Sequence, residues 1–206
     1  DDVSALAIAT GRALPVLVGG TPVELRGRVA GSTDAAELSR LTGSVAGVRI
    51  SGQATVDRTA DPAKVRGALR VGEVDGRLLS EFVLGPDAWS SAGDTVWPDQ
   101  GFGPPLLSGA EIALDVATDT LWAGSARIDD ARFGLVLGPD RMRLDDVAGH
   151  YAGGDVAGNL ALTRADGQAT LATRIALTGA DFKTLAWQHD GEPVATGTLD
   201  LTVEAD

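Results

Sequence analysis

The sequence predicts a mostly β protein: an antiparallel, twisted meander of repeated β-sheet units, arranged as an open groove or a sandwich, with short helices. Three observations favour this class. Apolar and polar residues alternate with a period of two along most of the chain, as in half-buried strands. The runs end at Gly, Pro, Asn or Asp, which form tight turns. A long segment of the chain also occurs a second time.

That repeat relates residues 34–81 to residues 140–187, without a gap, at a shift of 106 positions. The 48 aligned columns contain 10 identities, and most of the remaining apolar positions stay apolar. A unit that cannot bury its own apolar face must stack on a neighbour. The repeat therefore predicts an extended modular wall rather than an enzyme pocket. The identical pairs include Asp34/Asp140, Gly43/Gly149, Gly52/Gly158, Arg58/Arg164 and Asp75/Asp181.

Individual elements follow from the same patterns. The sequence Asp166-Gly167 suits the positive φ angles of a two-residue hairpin turn. Asp75 and Asp181 each follow a predicted strand and precede apolar residues at helical spacing, so each is a candidate N-cap of a short helix. The clearest alternating runs, each predicted to be a strand, are residues 23–29, 112–116, 133–137, 160–162, 171–177 and 199–203.

The chain divides between the two copies of the repeat. Residues 89–107 are rich in Gly, Pro and Trp and form a predicted linker or loop. Residues 1–88 are then a first β module, and residues 108–206 are a second.

Composition narrows the function. The net charge of −12 argues against nucleic acid as a partner, because phosphate binding needs clustered Lys and Arg. The absence of cysteine removes thiol chemistry and disulfides. No run of the sequence approaches the roughly 18–20 apolar residues of a membrane span.

Residues able to carry chemistry are few. The two histidines, His150 and His189, lie in no catalytic motif, and we expect structural or surface roles for both. The adjacent acids at 129–130 and 145–146 match no calcium loop, and we interpret them as solvated strand ends. The sequence therefore predicts no catalytic residue, no metal site and no cofactor.

The remaining candidate site is the apolar side of the alternating strands. It serves equally well as the core of a closed sandwich and as a trough for acyl chains, which need apolar surface and no directional bonds. Alternation alone does not separate these two possibilities. The candidate residues for this groove or core face are Leu135, Leu160, Leu162, Ile175, Leu177, Leu199 and Leu201.

The second module resembles the AsmA family of bacterial envelope proteins, in its AsmA-like C-terminal region. The resemblance covers residues 97–206 and extends more loosely to 23–84. It rests on the segments "RLDDV", "YAGGDVAGNLAL", "LTGADFKTL" and "PVATGTLDL". It implies a non-enzymatic periplasmic protein, part of a longer chain anchored in the inner membrane. An apolar β-groove would then contact phospholipid acyl chains and envelope proteins, in phospholipid transport and in outer-membrane assembly or homeostasis.

An alternative function belongs to a different class. A structural β-rich scaffold with a closed core would bind partner proteins at an exposed edge strand. The repeat and the alternating strands are compatible with this hypothesis as well.

Overall fold

A computed structural model describes residues 22–86, 88–89, 102–185, 188–189, 192–193 and 196–205. Within this part of the chain the protein is mostly β, as the alternation predicts, and every alternating run lies in a strand. The elements are β1 (Val23–Gly31), β2 (Ala35–Val45), β3 (Val48–Asp57), β4 (Ala63–Asp75), α1 (Gly76–Leu84), β5 (Ala110–Ala123), β6 (Ala126–Leu137), β7 (Arg141–Tyr151), β8 (Gly154–Ala165), β9 (Gln168–Asp181), α2 (Phe182–Leu185), β10 (Gln188–His189), β11 (Glu192–Pro193) and β12 (Thr198–Ala205).

Ten of the strands form one sheet in the order β1-β2-β3-β4-β5-β6-β7-β8-β9-β12, and the sheet is not closed. Short turns join most neighbours, which requires antiparallel pairing. The exception is the parallel pair β4–β5, whose strands are joined by a long crossover that begins with α1. Of the two arrangements left open by the sequence, the described residues form the open sheet. The pair β10–β11 is a separate two-stranded ribbon.

The sequence repeat is also a repeat of structure. The elements β2, β3, β4 and α1 lie 106 positions before β7, β8, β9 and α2, and they occur in the same order. The structural unit begins earlier than residue 34 and includes β1. Strands β1 and β2 pair in the same register as strands β6 and β7. Val29 faces Leu38 in the first unit, and Leu135 faces Leu144 in the second.

Both units contain the same irregularity. In β2 and in β7 one additional residue bulges out of the pairing with the next strand. That residue has a left-handed backbone in each case, with φ of 54° at Arg40 and 52° at Asp146. The strand opposite the bulge carries Gly52 in the first unit and Gly158 in the second.

Both predicted helix starts are confirmed. The Asp75 carboxylate accepts a hydrogen bond from the backbone N–H of Arg77 at 2.8 Å, and Asp181 accepts one from Lys183 at 2.9 Å. Each aspartate thus satisfies an N–H group that has no partner within its helix. The predicted hairpin turn is confirmed too, with φ of 51° at Asp166 and 77° at Gly167.

The apolar core lies in the second half of the sheet. It fills the space between α1 and strands β5 to β9, and Val83 and Leu84 at the end of α1 are fully buried in it. In β1, by contrast, every residue after Val23 is exposed. The sheet therefore has a covered region and a more open region.

The predicted division into modules coincides with no break in the sheet. Strands β4 and β5, on either side of the predicted linker, pair from Ala63 to Asp75. Most of the linker itself, residues 90–101, lies outside the described residues, as do residues 1–21 of the first module. The two-module division stays a prediction.

Candidate functional site: the apolar face of the sheet

The two faces of the sheet differ in chemistry. Successive side chains of a strand point to opposite faces, and residues paired across neighbouring strands share a face, so the register defines rows that cross the sheet. Two adjacent rows contain only apolar residues or glycine from β2 to β8, and we call their side of the sheet the apolar face. The first row is Ala36, Val56, Val65, Ile112, Leu137, Met142 and Leu162, and the second is Leu38, Ala54, Gly67, Leu114, Leu135, Leu144 and Leu160.

The opposite face, called here the polar face, carries ion pairs. Arg143 contacts Asp145 at 2.7 Å, and Arg174 contacts Glu204. These pairs are largely exposed and contribute little to stability. Two shallow, open depressions lie on this face, and each is lined by two arginines and two carboxylates. Neither has a charge balance that would select an anion or a cation.

Helix α1 covers the middle of the apolar face. Val83 and Leu84 pack in one cluster with buried residues of the sheet, including Leu144 and Leu162. Trp89, which follows the helix, donates from its indole N–H to the Ser80 hydroxyl at 2.8 Å. Over β5 to β8 the apolar face is therefore filled core.

Arg164 holds the end of α1 on the sheet. Its guanidinium donates hydrogen bonds to the carbonyls of Val83 at 3.1 Å and Leu84 at 3.4 Å, and also to those of Phe102 and Gly103. The last carbonyls of a helix have no partner within it, and they form the negative end of its dipole. One positive side chain on β8 thus joins the helix terminus and the returning chain to the sheet.

The seven predicted site residues are divided between covered and open regions. Leu177 and Leu201 face each other in the pairing of β9 with β12, yet they differ strongly in burial. The predicted set therefore includes both core and surface. Leu135, Leu162 and Leu177 are buried, Leu160 and Leu199 are half-buried, and Ile175 and Leu201 are exposed.

The apolar face opens at both ends of the sheet. In β9 and β12, Ile175 is 37% exposed, Leu201 48% and Val203 44%, and we call these three residues the C-terminal strip. In β1, Leu25 is 42% exposed and Val29 67%. The sequence-based list omitted Val203 and both β1 residues, although the same alternation marked them.

Among the side chains that the structure describes, those considered for chemistry form no catalytic arrangement. The His150 Nδ1 lies 2.9 Å from an Asp155 oxygen, and both side chains are exposed. The acids at 129–130 and 145–146 lie at bulges inside β6 and β7 rather than at strand ends, because Asp130 and Asp146 have left-handed φ angles. The side chain of His189 lies outside what the structure describes.

Over the described ranges, no three His, Cys, Asp or Glu residues are grouped as metal ligands would be. No helix in the same ranges is long and apolar enough to cross a membrane. The pKa of the Asp57 carboxyl lies below its ordinary value, because the hydroxyl and the backbone N–H of Thr59 donate to it at 2.6 Å and 2.9 Å. This carboxylate stabilises the turn after β3.

Comparison of the chain with protein-family models, with curated proteins and with solved structures finds no match in any of the three.

Proposed function

We propose that this is a non-enzymatic envelope protein of the AsmA type, which shields phospholipid acyl chains along the apolar face of its sheet. The observation that carries the proposal is the opening of that face at the C-terminal strip. Ile175 and Val203 pair directly across β9 and β12, and Leu201 lies beside them, so three large apolar side chains form one exposed patch. Contiguous exposed apolar patches mark contact sites for lipids or proteins.

The chemistry of an acyl chain fits this surface. Burial of apolar area drives the contact without directional bonds, so a strip of aliphatic side chains is sufficient. The strip continues into the buried core through Leu177, which faces Leu201. The polar face of the same strands keeps the other side of the sheet solvated.

The resemblance to the AsmA family supports the finer part of the proposal. It favours a periplasmic location within a longer protein, anchored in the inner membrane outside this segment. It also favours a role in phospholipid transport and in outer-membrane assembly or homeostasis.

A lipid-binding experiment tests the proposal. Native mass spectrometry of the gently purified protein is expected to show bound phospholipid, and a fluorescent phospholipid is expected to bind saturably. Leu201→Asp should weaken that binding by about tenfold or more, since it removes a large apolar contact. Thr202→Asp is the matched control, because Thr202 is the neighbouring residue on the polar face, and it should leave binding unchanged.

Two results would contradict the proposal: absence of bound lipid in a folded protein, or equal loss of binding in both variants. The structural scaffold would then account better for the chain. Two observations favour this scaffold as the second candidate function. The core under α1 is filled, and β12 lies at the end of the sheet, with a single strand neighbour among the described residues. Such an edge pairs readily with a strand of another protein.

A further inference from the structure

The face of β2 and β3 is the repeat counterpart of a surface that α1 covers. The buried apolar residues of β7 and β8 are Met142, Leu144, Val156 and Leu162. All four counterparts at the 106-residue shift are apolar, yet no helix covers them within the described part of the chain, and all four are half-buried. These counterparts are Ala36, Leu38, Ile50 and Val56.

The residue that holds the helix is repeated as well. Arg58 is the counterpart of Arg164, and the two backbones are fixed alike. Arg58 donates its N–H to the Asp34 carbonyl at 2.8 Å, and Arg164 donates to that of Asp140 at 2.7 Å. The two side chains therefore start from equivalent points of their units. The Arg164 guanidinium binds the end of α1, whereas that of Arg58 donates to the carbonyl of Thr33 at 3.1 Å.

We propose that β2 and β3 form a docking surface for an amphipathic helix of a partner protein. That helix would resemble α1 in its apolar side and in C-terminal carbonyls that have no partner within the helix. The surface, called here the docking face, consists of Ala36, Leu38, Ile50, Ala54, Val56 and Arg58. The positive guanidinium of Arg58 complements the negative C-terminal end of such a helix, as that of Arg164 does within this chain.

The shape of the docking face indicates which side chains the partner helix should carry. Ala36 and Ala54 stand where the second unit has Met142 and Leu160, so this face is less filled than its counterpart. Interiors pack densely, and a lost side chain must be replaced by volume from the other side. The incoming helix is therefore expected to end in large apolar residues, as α1 does with Val83 and Leu84.

A single-cysteine experiment tests the proposal, since the chain contains no cysteine. Ala54→Cys places a thiol on the docking face, and Thr55→Cys places one on the polar face of the same strand. A peptide of residues 75–86, added at up to about 1 mM, is expected to slow modification of the first thiol by about tenfold and to leave the second unchanged. The same peptide carrying Val83→Asp and Leu84→Asp should protect neither.

Arg58→Ala distinguishes specific binding of a helix C-terminus from non-specific apolar binding of the peptide. In the Ala54→Cys background, this substitution should raise the peptide concentration needed for protection by about tenfold. A loss of that size is expected when one hydrogen bond to a charged group is removed. Arg66→Ala, on the polar face of β4, is the matched control and should have no effect. Ala36→Cys provides a second reporter should Ala54→Cys disturb the fold.

Three outcomes would overturn the proposal. In the first, the peptide does not slow modification of the Ala54→Cys thiol. In the second, the peptide protects that thiol equally well with and without Arg58→Ala. In the third, the thiol is already unreactive without peptide. Protection by phospholipid vesicles in place of the peptide would assign the face to lipid instead. The lipid proposal rests on the C-terminal strip at the other end of the sheet, so the two experiments fail independently.

Discussion

The guanidinium group of Arg164 supplies the hydrogen-bond partners that the last carbonyls of α1 lack. Arg164→Met keeps most of the aliphatic stem but leaves these half-buried carbonyls unsatisfied. We expect the free energy of unfolding to fall by about 3 kcal/mol. Arg58→Met, the repeat counterpart, removes one exposed contact and should cost about 0.5 kcal/mol or less. Urea denaturation of both variants measures the difference, and equal losses would show that Arg164 does not hold the helix.

The sequence showed that Arg58 and Arg164 correspond to each other, but it did not reveal what either side chain binds. The two residues align in the repeat, Arg58 directly after β3 and Arg164 in the last turn-proximal residues of β8. The partners of Arg164 lie in α1 and in residues 102–103, roughly 60 to 80 positions earlier in the chain. No local pattern encodes a contact of that separation.

Among the elements, the glycines opposite the two bulges allow β3 and β8 to lie close to the strand on their other side, β4 and β9 respectively. A Cβ at Gly52 would overlap the Ala68 carbonyl oxygen, and one at Gly158 would overlap that of Arg174. Gly158→Ala is therefore expected to lower the free energy of unfolding by about 2 kcal/mol or more. Gly72→Ala, in β4, is the control, because its nearest atom lies at an ordinary 3.6 Å. Thermal denaturation compares them, and similar melting temperatures would contradict the expectation.

The strands and helix starts could be predicted because their causes are local. Alternation marks the strands, and the carboxylates of Asp75 and Asp181 mark the helix starts. The parallel pairing of β4 with β5 could not be predicted, since it depends on where a long crossover returns the chain. The bulges could not be predicted either, because arginine has no preference for the left-handed region at Arg40, and the acids at 145–146 have the pattern of a solvated strand end.

For the whole molecule, the uneven core predicts uneven protection of the backbone. The amides of β6, β7 and β8 lie in the strands that α1 covers, whereas β1 is exposed along nearly its whole length. Local opening costs least where few apolar contacts must be broken. Hydrogen exchange followed by mass spectrometry should therefore label residues 23–31 before residues 141–165. Equal protection would show that β1 is covered in solution, and it would also argue against a free docking face.

The choice between an open sheet and two stacked sheets lay beyond the sequence for a related reason. Alternation states that one face of each strand is apolar, and it is silent on what lies against that face. The same pattern produces the buried Leu162 under α1 and the exposed Leu201 in β12. Only the position of the covering helix distinguishes them.

The parallel pair β4–β5 has a consequence for direction. Five pairings separate β1 from its counterpart β6, an odd number, so purely antiparallel pairing would make the second unit run in the opposite direction. One parallel step corrects this parity, and β6 runs the same way as β1. The two units are thereby related without inversion: α1 and α2 begin at the same edge of the sheet, and Arg58 and Arg164 point from corresponding strand ends. Strands β6 to β9 therefore run in the same directions as β1 to β4, although β12 pairs antiparallel with β9 where β5 pairs parallel with β4.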